Sequence, residues 1–383
     1  MEGFPKWVWV LIAVIVVVGG WFLITRHHEP VAVGDTYKVG IILPLTGDAA
    51  SYGEPAKNFM QLATDEINAT GGIDGKQMEL VVEDGKCDGT SAANAASKLV
   101  NIDKVQVIIG GFCSSESLSA VPVAERAKVA VISSGSSSPK LTAISDYFVR
   151  NYPSDATQGA VLANIAYTDK GWRKVAFIQE QTDYAVGIYN AFSETFTKLG
   201  GTVTNESFPT ATTDFRSIIT KVQGEKPDAV FLDTQTPASA SRVLPQMAQL
   251  DWKLPLLLTD VTIGDPATIT ANAKQLEGAL GAEFGTQKDN PKFTAMVSAY
   301  KTKYGADAPY LSYAQTEYDS VYLVRDAIAA VGYDGTKIAK WLHTSVKDWQ
   351  GASGAVTIGA NGDPVSGHSP ETVTGGKMVP YVK

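Results

Sequence analysis

From Tyr37 onward the apolar residues fall into short β-branched bursts separated by stretches with helical spacing. YKVGIILPL (Tyr37 to Leu45) reads as a strand, and GEPAKNFMQLATDEINA (Gly53 to Ala69) as an amphipathic helix. GGIDG (Gly71 to Gly75) stops that helix and turns the chain. MELVVED, VQVIIGG and VAVI (Val129 to Ile132) read as further strands, with helices over DGTSAANAASKLVN and Ser117 to Ala127 between them. The pattern then starts again. KVAFIQE (Lys174 to Glu180), TVTNESF, DAVFLDT and LPLLLTD are strands, alternating with helices over YAVGIYNAFSETFTKLG, TDFRSIITKVQ and PASASRVLPQMAQL. Strand–helix alternation of this period predicts parallel sheets covered by helices on both faces. Helices over TAMVSAYKTKYG and Ser312 to Gly332, then a strand and an N-G turn in SGAVTIGANGDPV, complete the pattern.

Two such units in 383 residues predict an α/β protein of two doubly wound, Rossmann-like lobes. Short segments around Tyr147 to Pro153, Glu283 to Gly285 and Gly351 to Gly354 separate the blocks and predict a three-segment hinge. The expected division is residues 1–34 as a membrane anchor with a short linker, 35–152 plus 285–352 as lobe 1, and 153–284 plus 353–383 as lobe 2.

The anchor is a different kind of pattern. Trp7 to Ile24 is a run of 18 uncharged residues between Lys6 and Arg26, just long enough to cross a bilayer. Trp7, Trp9, Trp21 and Phe22 lie near its ends, where amphipathic rings favour the interface. The run exceeds a typical signal-peptide core and TRHHEP lacks a small-residue cleavage pattern, so an uncleaved single-pass helix is expected over a cleaved leader. Lys6 and Arg26 nearly balance, so charge does not set the orientation.

Composition narrows the chemistry. A net charge of −8, with no Lys/Arg-rich block, lacks the footprint of a nucleic-acid binder. The four histidines, His27, His28, His343 and His368, show no metal-ligand spacing. No GxSxG, P-loop or GxGxxG is present, so neither a nucleophile elbow nor a nucleotide cofactor is expected, and the expectation is no enzyme, no cofactor and no metal. The two cysteines, Cys87 and Cys113, each follow a strand-like run, and adjacent strand ends would place them within bonding reach. A disulfide of that kind persists outside the cytoplasm, and two reduced buried thiols are the alternative.

Two small-residue loops stand at strand carboxyl ends. CSSES (Cys113 to Ser117) follows VQVIIGGF, and SSGSSS (Ser133 to Ser138) follows VAVI. Hydroxyls and free backbone N–H groups at such ends suit an anion, a carboxylate above all. From the other lobe, Asp260 at the end of LLLTD suits an ammonium, and Tyr184 offers a hydroxyl and a ring face. A zwitterion gripped between the lobes is the expected ligand.

The stretch LTGDAASYGEPAKNFMQLATDEINATGGIDGKQMELVVEDGKCD resembles the opening of the branched-chain amino-acid binding proteins, type I periplasmic substrate-binding proteins of ABC importers. GGFCSSES, SSGSSSPKLT and QTDYAVGIYNAF continue the resemblance in order and spacing. It implies two lobes closing on a ligand without chemistry. It further implies that Ser114 binds the ligand carboxylate, that Gly135, Ser136 and Ser137 form the loop at the α-carboxylate and α-amine, and that Asp260 holds the ammonium. Tyr184 would close over the ligand, Tyr52, Gln235 and Tyr310 would border the side-chain pocket, and Cys87 and Cys113 would pair as a disulfide. Serine stands where the family commonly has threonine in the loop, and DTQTP stands where it often has aromatics, so a small or polar side chain is expected in the pocket. The implied partners are an ABC permease and ATPase, with the monomeric body outside the cytoplasm; the resemblance implies a free or lipid-tethered protein, and the helical tether expected here departs from it. A ligand-sensing ectodomain working with a separate signalling partner, and a binder of short amides or urea-like molecules, are the alternatives.

Overall fold

The structure, a computed structural model, describes residues 36–383. The membrane helix expected over Trp7 to Ile24 therefore lies outside the described residues. Within them, no helix is long and apolar enough to cross a membrane.

The first half builds a parallel sheet from β1 (Tyr37–Leu43), β2 (Met78–Asp84), β3 (Val107–Ile109), β4 (Ala130–Ser133) and β5 (Phe148–Arg150), in the order β2-β1-β3-β4-β5. Its central strands are apolar on both faces because helices cover both: every residue of β3 and β4 is buried. Crossovers are made by α1 (Ala50–Ala69), α2 (Gly89–Asn101) and α3 (Ser114–Arg126). Asp88 caps α2, its carboxylate accepting from Ser91 N at 2.8 Å. The expected disulfide is present: Cys87 after β2 bonds Cys113 after β3, with the Cα atoms 5.2 Å apart.

The chain then crosses to a second sheet. α4 (Asp155–Asn164) leads into β6 (Lys174–Glu180), α5 (Asp183–Lys198), β7 (Thr202–Phe208), α6 (Arg216–Gly224), β8 (Ala229–Asp233), α7 (Pro237–Gln249) and β9 (Leu256–Leu258). Short helical turns follow from Asp260, and β10 (Leu280–Glu283) ends this pass. The chain returns to the first sheet as α8 (Pro291–Tyr304), α9 (Leu311–Val331) and α10 (Gly335–Ser345), with the hairpin β11 (Trp349–Gly351) and β12 (Gly354–Val356). β13 (Ser369–Thr374) and β14 (Lys377–Pro380) finally pair antiparallel on the edge of the second sheet, giving the order β14-β13-β10-β9-β8-β6-β7.

The third passage corrects the sequence reading. Gly351 to Gly354 turns a hairpin instead of leaving the lobe. The chain then stays with the first sheet, where Ile358 N bonds Val346 O and Arg150 N bonds Gly362 O, and it joins the second sheet only at Ser369. A hairpin glycine and a linker glycine have the same local chemistry, so composition alone did not separate them.

Candidate functional site

In both sheets the carboxyl ends of the strands point to one cleft. From the first, α3 starts at Ser114, directly after β3, and the serine loop follows β4. Ser114 is buried, and its Oγ accepts from the backbone N–H of Ser138 at 3.1 Å, tying the two loops together. Ser136 turns inward: its hydroxyl bonds Ser117 Oγ at 2.6 Å, Gly111 O at 3.0 Å and Ser133 Oγ, so it shapes the loop and does not line the cavity. Gly135 cannot carry a side chain, because a Cβ there would meet the Phe112 ring at 2.6 Å.

Arg150, at the end of β5, holds this loop from behind and is fully buried. Its guanidinium donates to Ser138 O at 3.0 Å, Ser136 O at 3.2 Å and Thr142 Oγ1 at 3.1 Å, and pairs with Asp363 at 2.7 Å. Glu116 does similar work one loop away, accepting from Cys87 N and Cys113 N at 2.9 Å each. Burial pushes its carboxyl up to about 7.

The second sheet presents acids. β6 ends in Glu180, β8 in Asp233 and β10 in Glu283, and Asp260 follows β9 by two residues. All four are buried. Burial pushes Glu283 up to about 8 and raises Asp233 and Glu180. Asp155, at the start of α4, is raised by burial and then by the charge of Asp260.

Asp260 is held by four donors. Tyr152 Oη and Tyr313 Oη donate to Oδ2 at 2.8 and 2.7 Å; Gln158 Nε2 donates to Oδ1 at 2.9 Å, and Tyr184 Oη donates to the same oxygen. Tyr152 and Tyr313 stack with centroids 4.6 Å apart, which locks that side. Burial first and the Asp260 charge second hold the Tyr152, Tyr184 and Tyr313 phenols well above their usual range, so each is a hydroxyl donor.

Between the two edges is a cavity of about 20 Å³ lined from both lobes, by Ser114, Gly135, Ser137 and Phe112 on one side and Tyr184, Gln235 and Val261 on the other, with Tyr52 and Tyr313 closing it. That is room for one water and not for an amino acid. Of the residues singled out from sequence, Ser114, Gly135, Ser137, Tyr184, Tyr52 and Gln235 share this cavity. Asp260 reaches it through Tyr184 and Tyr313, while Tyr310 backs Tyr52 with ring centroids 4.4 Å apart. The sequence reading missed Phe112, Arg150, Tyr152, Gln158 and Tyr313. Only Tyr313 had a local signal, three residues along the helix from Tyr310.

Residues 36–369 match the family described as periplasmic binding protein. The chain is 30% identical to a leucine-binding protein from Thermotoga maritima, with a TM-score of 0.82 over 91% of this chain and 98% of that one. The chain belongs to the periplasmic binding proteins of the branched-chain amino-acid binding family. An "Amino acid binding protein" of Pseudomonas aeruginosa is 29% identical over 309 residues, covering 79% of this chain and 81% of the relative. Family ligands extend further: a solute-binding protein of an ABC transporter from Rhodopseudomonas palustris, 25% identical with a TM-score of 0.76 over 91% of this chain and 99% of that one, was solved in complex with 3,4-dihydroxybenzoic acid. The two-sheet α/β architecture described above is the type I periplasmic binding protein fold of this family.

Proposed function

We propose that this chain is the extracytoplasmic substrate-binding protein of an ABC importer, that it captures an amino acid or similar small zwitterion, and that it catalyses no reaction. Its ligand's carboxylate would lie against the loops at Ser114 and Gly135 to Ser137, and its ammonium against Asp260, with Tyr184 closing over it. What supports this reading is a hydroxyl-bearing edge at Ser114 and Ser137 facing Tyr184 across one cavity, with the buried Asp260 carboxylate behind Tyr184 and Tyr313. Opposite partial and formal charges across a dry cleft match the two ends of a zwitterion. The three passages between sheets act as the hinge, and Trp7 to Ile24 tethers the body to the membrane near its permease and ATPase.

Calorimetry on the full chain in detergent, against amino acids and against the corresponding amines and carboxylic acids, tests it. The expected result is binding of a complete amino acid and loss of ~2–4 kcal/mol in Asp260→Asn, which keeps the shape and removes the charge. Tight binding of a carboxylic acid without an ammonium, indifferent to Asp260→Asn, would overturn the reading.

A further inference from the structure

We propose that the chain carries a second binding site, away from the cleft, for a flat aromatic anion of one or two rings, such as an arylacetate. The site is a cavity of about 310 Å³ between α8, α9 and the hairpin strand β11, and it shares no residue with the cavity of the cleft. That size falls within the range of small-molecule sites. The inference does not depend on what the cleft binds.

The walls are aromatic rings whose polar ends are already engaged. Tyr318 and Tyr322 both donate their hydroxyls to Glu66 Oε2, the latter at 2.8 Å, and Trp349 gives its indole N–H to Asp326 Oδ2 at 2.8 Å. The carboxylates thus fix all three rings, and what the rings have left for a ligand is hydrocarbon and π surface.

Four charged side chains line the same cavity, and the protein itself satisfies three of them. Asp319 is buried and accepts from Ala352 N at 2.7 Å, from Ser353 N at 2.8 Å and from Ser353 Oγ. Asp326 holds both the indole and Arg325, whose Nε donates to it at 2.7 Å. Lys292 is the exception. Its ammonium forms no ion pair among the described residues, donates to Gln350 O and stands 5.8 Å from the centre of the Trp349 ring. An ammonium has three protons, so two remain for an incoming acceptor. A flat organic anion meets both features at once, its charge on Lys292 and its ring against Trp349 and Tyr322. Lys292 and Arg325 oppose a cation there, and a sugar finds few open partners on walls whose hydroxyls and indole N–H are spent.

Calorimetry of the full chain in detergent with indole-3-acetate and with its neutral amide tests the site. Expected is saturable binding of the acid near or below ~1 mM, with the amide weaker by at least about 10-fold. Lys292→Gln should bring the acid down to the affinity of the amide, and Lys292→Arg, which restores the charge, should recover most of the loss. Trp349→Leu should weaken both probes. Ser114→Ala, in the cleft, should leave the acid's affinity unchanged. Lys292 is exposed, so a melting curve of Lys292→Gln matching the native one shows that recognition changed and not folding. Absence of saturable binding, equal affinity for acid and amide, or an affinity lost in Ser114→Ala and retained in Lys292→Gln each overturns the inference, the last by placing the anion in the cleft.

Discussion

Arg150 is buried where arginine is rarely found, and its position explains the shape of a loop it never joins. Its carbonyl partners, Ser136 and Ser138, flank Ser137, which lines the cavity. Its ion-pair partner, Asp363, belongs to the segment that leads into the last passage between sheets. Removing the guanidinium takes the cation from Asp363 and the donor from Ser136 O, while Ser138 O keeps Leu141 N–H and Asp363 keeps the Thr142 hydroxyl. Arg150→Met should therefore lower unfolding stability by ~3–5 kcal/mol in a urea titration, because a broken buried pair leaves an uncompensated charge. A loss under ~1 kcal/mol would show that water replaces the guanidinium there.

At the scale of elements, α5 packs closely against the serine loop. A Cβ on Gly187 would meet Pro139 Cδ at 2.7 Å, so this helix approaches the serine loop of the other lobe as closely as a bare backbone allows. Gly187→Val should fold normally and bind ligand at least about 10-fold more weakly, since added bulk at a packed contact opposes closure. Small-angle scattering should show its ligand-induced compaction reduced; full compaction with native affinity would remove Gly187 from the closing surface. Much of this architecture is readable in advance. The β-branched bursts at KVAFIQE and VAVI and the intervening helical spacing announce parallel strands, and small residues after VQVIIGGF and VAVI announce loops at their ends. What lies beyond local pattern is the grip on Asp260. Tyr152, Tyr184 and Tyr313 come from three separate stretches, and only the fold brings their hydroxyls to one carboxylate. The antiparallel edge β13–β14 was missed for a related reason: ETVTGGKMV has strand residues around a glycine pair, but its partner β10 lies about ninety residues back.

Over the whole molecule, burial of carboxyl groups sets how stability responds to pH. Glu283 titrates at about 8 when folded against 4.5 when exposed, Glu116 at about 7 against 4.5, and Asp319 at about 6 against 3.8. The folded protein thus keeps protons that the unfolded chain releases. This contribution is complete below the unfolded values and is lost as pH rises through the folded ones. The melting temperature should fall between pH 5 and pH 8, and Glu283→Gln, a neutral isostere beside Ser312, should flatten that slope. An unchanged slope would mean that Glu283 is ionised when folded. Lys140–Asp183 at 3.0 Å and Arg242–Asp48 at 2.8 Å link the two halves of the molecule at the surface, pairs of the kind that contribute little alone. The threefold passage of the chain has a consequence for synthesis. The first sheet waits for α9, which packs on α1 from more than two hundred residues away, and the second waits for β13 and β14. A ribosome working from the amino end releases almost the whole polypeptide before either body has its full complement of neighbours, so each half must mature late and together.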